Sequence, residues 1–433
     1  VGIVVEKGTI TAPAATGQQT YNLGSAFNGI LPRALLLWAT YETADADTDG
    51  NAIFSLGFGT YRGSVVQQAF HACVSVDGGT AASTDVSLDT DAVLEGLTVE
   101  GTEATARDYS VDLVSLNSGT PSTFVLDWTD APASQILVHY WIIGGSDVDD
   151  AVVGSFAMGI AVATQDVPLP SGFGTPDAND LILFLNHGFS SAYLRNDANI
   201  SLGACKGDGS SPRSTVFVDA DNAPLMSCSS YQIAHGLVAV AVTSVNAEAD
   251  VTSGAPTDNF RLSYSDQAPS AILVKYLVIR LGSGATLDIG SNTAPTASPP
   301  QTQDNATGGT PKGALVWGNN LTTTTLVNID HADLGAFMIG GTDGTNEGMA
   351  GRSQDDGNTN AVTGRFFKQT KTIAFYTPGG PPSLASEADG SFSGSNFRLT
   401  WNDTDAIARE YNWLAIGEAA AAAFQQQILQ HVT

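Results

Sequence analysis

The stretch Phe124-Val-Leu-Asp-Trp128-Thr-Asp130, followed by Ile136-Leu-Val-His-Tyr140-Trp-Ile-Ile-Gly144, reads as two β-strands. Phe124, Leu126 and Trp128 alternate with Val125 and Asp127, and a period of two puts the aromatic residues on one face of a strand. The run from Ile136 to Ile143 is short, continuous and rich in β-branched and aromatic residues, which suits a core strand better than a helix. Asp130-Ala-Pro132 between them has turn chemistry, so the two strands are expected to pair antiparallel. The passage returns as Phe260-Arg-Leu-Ser-Tyr264-Ser-Asp266 with Ile272-Leu-Val-Lys-Tyr276, and as Phe397-Arg-Leu-Thr-Trp401-Asn-Asp403 with Tyr411-Asn-Trp-Leu-Ala-Ile-Gly417. Phe260 lies 136 residues after Phe124, and Phe397 lies 137 after Phe260.

Outward from this passage, the openings match too: Pro32-Arg-Ala-Leu35-Leu-Leu37-Trp38, Asn179-Asp-Leu181-Ile-Leu183-Phe184 and Pro311-Lys-Gly-Ala-Leu315-Val-Trp317. A third landmark is read as Leu56-Gly57, Leu202-Gly203 and Leu334-Gly335, and an offset of 146 relates Gly8 to Gly154 and Leu35 to Leu181. Landmarks in constant order define three tandem units, over 1–150, 151–284 and 285–418. Each is expected to hold about seven or eight strands in an all-β sandwich of jelly-roll or immunoglobulin-like type. Pro295, Pro299 and Pro300 break any ladder, so 285–310 is expected to be a degenerate first strand or linker. The units could form a rod or a compact pseudo-threefold block. Residues 419–433 are alanine- and glutamine-rich and read as a short helical tail, with Phe424, Ile428 and Val432 on one stripe as a candidate interface with its own domain or a neighbouring subunit.

Composition agrees with a turn-rich β-protein: 433 residues include 46 Gly and 18 Pro. The net charge of −27 repels nucleic acid and anionic membranes, and neither is expected as a partner. No apolar run approaches the roughly 20 residues of a membrane helix. Val1-Gly-Ile-Val-Val-Glu-Lys7 lacks signal-peptide features, which implies folding in a cytoplasm. Cys73, Cys205 and Cys228 have no metal-type spacing and are expected to be reduced and buried.

Among candidate sites, Asp45-Ala-Asp47-Thr-Asp49-Gly50-Asn51 has the alternating carboxylates that begin a calcium loop. Leu56 stands where an EF-hand needs its bidentate Glu, which leaves a simpler β-loop Ca2+ site at Asp45, Asp47 and Asp49 or a solvated acidic loop. Beyond this possible ion no cofactor is expected. The six histidines show no metal pairing, and His71 beside Cys73 reads as a buried strand pair rather than an activated thiol. Asp130, Asp266 and Asp403 recur at a strand-linking turn, which favours structure over the paired acids of a glycosidase. Tyr41, Tyr61 and Tyr193, beside polar loops, could stack on sugars. No nucleophile elbow or phosphate loop is present in the sequence, so a non-enzymatic protein is expected.

The segments Pro32 to Trp38, Pro311 to Trp317, Phe397 to Trp401 and Tyr411 to Gly417 resemble a repeat in proteins encoded among tailed-phage structural genes. That resemblance spans most of the chain, rests on packing motifs and brings no catalytic residues with it. It implies a virion structural protein, a head-decoration or fibre-like tail component, assembled in host cytoplasm and exposed on the virion surface. Its implied partners are other virion proteins and further copies of itself. The alternative is a glycan- or host-receptor-binding module, such as a tail receptor-binding protein or surface lectin.

Overall fold

The computed structural model describes residues 2–78, 83–98, 106–194, 197–220, 227–241, 244–322, 329–330, 335–355, 362–377 and 382–420. They form antiparallel β-sheets, with a single 3-10 turn at Ser25–Phe27. The sheets come in three pairs, each a seven-stranded and a four-stranded sheet. In the first pair the large sheet runs Ile3–Thr11, Leu137–Gly145, Pro32–Ala39, Ala52–Arg62, Val65–Ser75, Thr84–Asp89 and Tyr193–Leu194. The small sheet runs Gly17–Asn22, Thr123–Asp130, Arg107–Asn117 and Leu94–Leu97. The second pair, opening with Val148–Ala157, and the third, opening with Ala285–Thr293, repeat this order.

The apolar runs are continuous because the large sheets are buried on both faces. Along Pro32–Ala39, Leu35, Leu37 and Ala39 pack toward the small sheet, whereas Ala34, Leu36 and Trp38 enter a central core. Leu181, Leu183 and Leu185 of the second large sheet and Leu315, Trp317, Leu414 and Ile416 of the third enter that same core. The three sheet pairs therefore share one interior and form a block rather than a rod. The small sheets are covered on one face only, which is why Phe124, Leu126 and Trp128 are buried and alternate with less buried Val125 and Asp127.

Three expectations need correction. Thr123–Asp130 does not pair with Leu137–Gly145; the two lie in opposite sheets of one pair. Their apolar faces meet across the interior, with the rings of Phe124 and Tyr140 5.1 Å apart. Phe260 with Tyr276, at 5.3 Å, and Phe397 with Trp413, at 6.3 Å, make the corresponding contacts. Facing each other across the core buries both aromatic rows, which side-by-side pairing would not.

Second, 285–310 is neither degenerate nor a linker. Ala285–Thr293 pairs along its whole length with Glu410–Ala419, and Gln301–Ala306 pairs with Asn396–Asp403. Pro295, Pro299 and Pro300 fall in the connection between these strands, where no ladder hydrogen bond is lost.

Third, the register puts Ile339-Gly340, not Leu334-Gly335, in the place of Leu56-Gly57 and Leu202-Gly203. At Gly57, Gly203 and Gly340 a Cβ would strike the backbone carbonyl of Val93, Gly236 and Thr372 respectively, just before the edge strand of each small sheet. Close approach of backbone to backbone demands glycine there.

The seventh strand of every large sheet comes from another part of the chain. Tyr193–Leu194, from the second pair, adds to Thr84–Asp89 of the first, and Ile329–Asp330, from the third, adds to Ser227–Ile233 of the second. Ala46–Asp49, from the first, adds to Thr363–Lys368 of the third. The exchange is cyclic, and it covers edges that would otherwise present unpaired backbone groups. Helical character at Phe424, Ile428 and Val432 concerns residues outside those described.

Candidate functional site

The acidic segment singled out in the sequence is the strand that closes this cycle. Asp47 accepts hydrogen bonds from the Tyr376 hydroxyl at 2.6 Å and from Lys368 Nζ at 3.1 Å, and Asp45 accepts one from the Gln369 backbone N–H at 3.1 Å. Asp47 and Asp49 stand two residues apart on an extended strand, so their Cα atoms are separated by about 7 Å. Among the described residues no group of three or more His, Cys, Asp or Glu side chains is placed to hold a metal ion. Tyr193 lies on another exchanged strand, and Tyr61 packs against the first pair's interior. Asp130, Asp266 and Asp403 occupy matching ends of three separate small sheets and are not brought together.

Where the large sheets meet, residues at one register position converge. Phe54 faces Cys73, Ile200 faces Phe217 and Phe337 faces Arg352 across their ladders. The Arg352 guanidinium donates to Cys73 Sγ at 3.1 Å and lies 5.0 Å from the centroid of the Phe217 ring. It pairs with Asp219 Oδ2 at 3.0 Å, and Ser75 bonds to both. Arg352 and Asp219 are fully buried, and the network joins all three sheet pairs. Cys73, Cys205 and Cys228 are buried and form no disulfide, and burial pushes the Cys73 thiol up despite the neighbouring guanidinium.

Buried bases line the seams between pairs. His71 Nε2 lies 2.6 Å from the Asn199 carbonyl oxygen, and its ring centroid is 6.4 Å from that of His187. Burial lowers His71 to about 3 and His187 to about 4, keeping both neutral. His139 stacks on Phe367 at 4.0 Å. Beside it, Lys7 Nζ donates to the Glu347 carbonyl at 2.6 Å, and desolvation lowers this lysine to about 7.

A polar cleft of about 360 Å3 opens between the first and third pairs, lined by Tyr41, Asp49, Asn51, Ile53, Asp108 and Arg365. Tyr41 has a left-handed backbone with φ of 43°, a costly conformation for a bulky residue. Arg365 is fixed by bonds from Nε to Glu42 at 2.7 Å and from Nη1 to the Asn51 carbonyl at 2.7 Å. Burial raises the Asp108 carboxyl above its ordinary value, opposed by a hydrogen bond from the Tyr41 side chain, and its Oδ2 is excluded from solvent. Desolvation, and secondarily Asp77, raises Asp49. The sequence reading noted Tyr41 and Asp49 separately and missed Asp108 and Arg365, which belong to no local motif.

No protein-family model matches this chain, and no curated protein is significantly similar to it.

Proposed function

We propose that this chain is a non-enzymatic structural component of a tailed-virus particle, a capsid-decorating or fibre-like surface protein acting through contacts with other virion proteins and with its own copies. In this reading the three sheet pairs are tandem β-sandwich copies fused into one pseudo-threefold block. It assembles in host cytoplasm and ends on the virion surface. The observation that carries it is the cyclic exchange of seventh strands. No sheet pair can leave the block without breaking backbone ladders in two large sheets. Such closure slows unfolding, which suits a part that must survive outside a cell. The tailed-phage resemblance implies the same reading, and Trp38 and Trp317 of its motifs pack in the shared interior.

Quantitative mass spectrometry of purified particles, with labelled electron microscopy, tests this. Many copies over the head are expected for decoration and a few at the tail for a fibre part. Absence from particles would overturn the proposal.

A further inference from the structure

We propose that the groove between Val4, Ala26, Pro311 and Phe392, at the seam of the first and third sheet pairs, is the docking site for the chain's own segment 421–433, with Phe424 seated in it. This goes beyond the virion reading and does not depend on it.

The three seams are built alike, but this one lacks the ion pairs of the other two. Between the first and second pairs Asp150 bonds to Arg62 at 2.7 Å, and between the second and third Asp288 stands 4.0 Å from Lys206. Gly8 and Gly154 occupy matching register positions, and four residues before them stand Val4 and Asp150. Gly203 and Gly340 likewise match, and three residues after them stand Lys206 and Asp343. At the remaining seam an apolar residue and a carboxylate therefore replace the anion of one pair and the cation of the other. A groove of about 380 Å3 opens there, with Ala26 exposed and Phe392 half-buried in its walls. Apolar surface of this kind gains free energy when another apolar group covers it.

The junctions between pairs select the occupant. Leu137–Gly145 and Leu273–Leu281 each turn within three residues into the opening strand of the next pair. In the ring of three, Glu410–Ala419 would turn into the opening strand of the first pair, but Ile3–Thr11 already stands there. A Cβ on Gly2 would strike the Glu418 carboxylate, and the Ala419 N–H donates to the Gly284 carbonyl at 2.8 Å. The chain beyond Ala420 therefore departs from the rim of the groove, which Glu418 lines while paired with Lys312 at 3.1 Å. Six residues lead from Glu418 to Phe424, a span of about 9 Å if helical and about 20 Å if extended, so the groove is within reach.

Segment 421–433 contains no Asp, Glu, Lys or Arg, and its sequence sets Phe424, Ile428 and Val432 on one stripe. It brings apolar side chains without adding charge to a chain of net charge −27, which repels acidic partners. A tethered segment is also present at high effective concentration, which favours it over a second copy arriving from solution.

The experiment replaces Phe424 with the photo-cross-linker benzoylphenylalanine in the full chain, irradiates a mixture of isotope-labelled and unlabelled protein, and maps the cross-linked peptides by mass spectrometry. Position 424 should join peptides holding Val4, Ala26 or Phe392, and each product should carry one isotope label throughout. Ala26→Glu adds a charge at an exposed position, so it should leave the sheets intact and cause a loss of cross-link yield. Mixed-isotope products would place the segment on a second copy and overturn the proposal. Cross-links found only elsewhere, no cross-links at all, or a yield unchanged by Ala26→Glu would overturn it as well.

Discussion

Arg352 shows what a single side chain can contribute in this interior. Fully buried beside Asp219, it touches residues from all three sheet pairs. Removing one partner of such a pair leaves an uncompensated buried charge, so Arg352→Met should destabilise the chain by roughly 3–5 kcal/mol in denaturant unfolding. Replacing Asp219 as well with an apolar residue should recover most of that loss.

The seam bases set a pH profile. His71 and His187, at about 3 and 4 when folded, lie below the ordinary histidine value, so the unfolded chain takes up protons that the folded chain refuses. Stability from these groups is fully present above about pH 6.5 and declines as pH falls through the folded values. Thermal unfolding should show this decline, and His187→Gln should make it shallower. Lys7, at about 7 when folded, acts at the other end. Unfolding binds a proton between about pH 7 and 10, so stability should rise with pH across that window, and the rise should vanish in Lys7→Met. None of these partners was legible in the sequence, because Arg352 and Cys73 are 279 residues apart and no local spacing connects them.

Among the elements, the strands with strong patterns were readable and the borrowed ones were not. Asp45 to Asn51 has the composition of a loop, and Ala46–Asp49 becomes a strand only because Thr363–Lys368 offers a free edge. Thr48→Pro, opposite Arg365 in that ladder, should break the pairing and accelerate amide exchange in Thr363–Lys368, while the other two exchanged edges keep their protection. The third opening strand was a misreading that the sequence could have prevented. Gly290 lies 136 residues after Gly154, the spacing that also relates Phe260 to Phe124. Gly8, Gly154 and Gly290 each lie opposite and beneath a cross-strand aromatic ring, Tyr140, Tyr276 and Trp413 respectively. Pro295, Pro299 and Pro300, only a few positions away, obscure this signal. Thr123–Asp130 and Leu137–Gly145 fall in different sheets because the turn-like link between them is equally able to cross from one sheet to the other.

For the whole molecule, the all-β class and the threefold recurrence of motifs could be read directly, whereas the choice between rod and block could not. The deciding residues are those on the second face of each large-sheet strand, such as Leu36, Leu183 and Leu315, which meet in one core. A strand run that is apolar on both faces signals a second partner without identifying it. The cleft was legible only in fragments for the same reason, since Arg365 reaches it from a sheet pair remote in sequence. Because the interior is shared, calorimetry should give one cooperative transition rather than three separate ones.

Small-angle X-ray scattering on the full chain in solution tests the shared interior most directly. A closed block of 433 residues should have a radius of gyration of about 22 Å and a symmetric distance distribution. A markedly larger radius with the extended tail of three domains in a row would contradict the block.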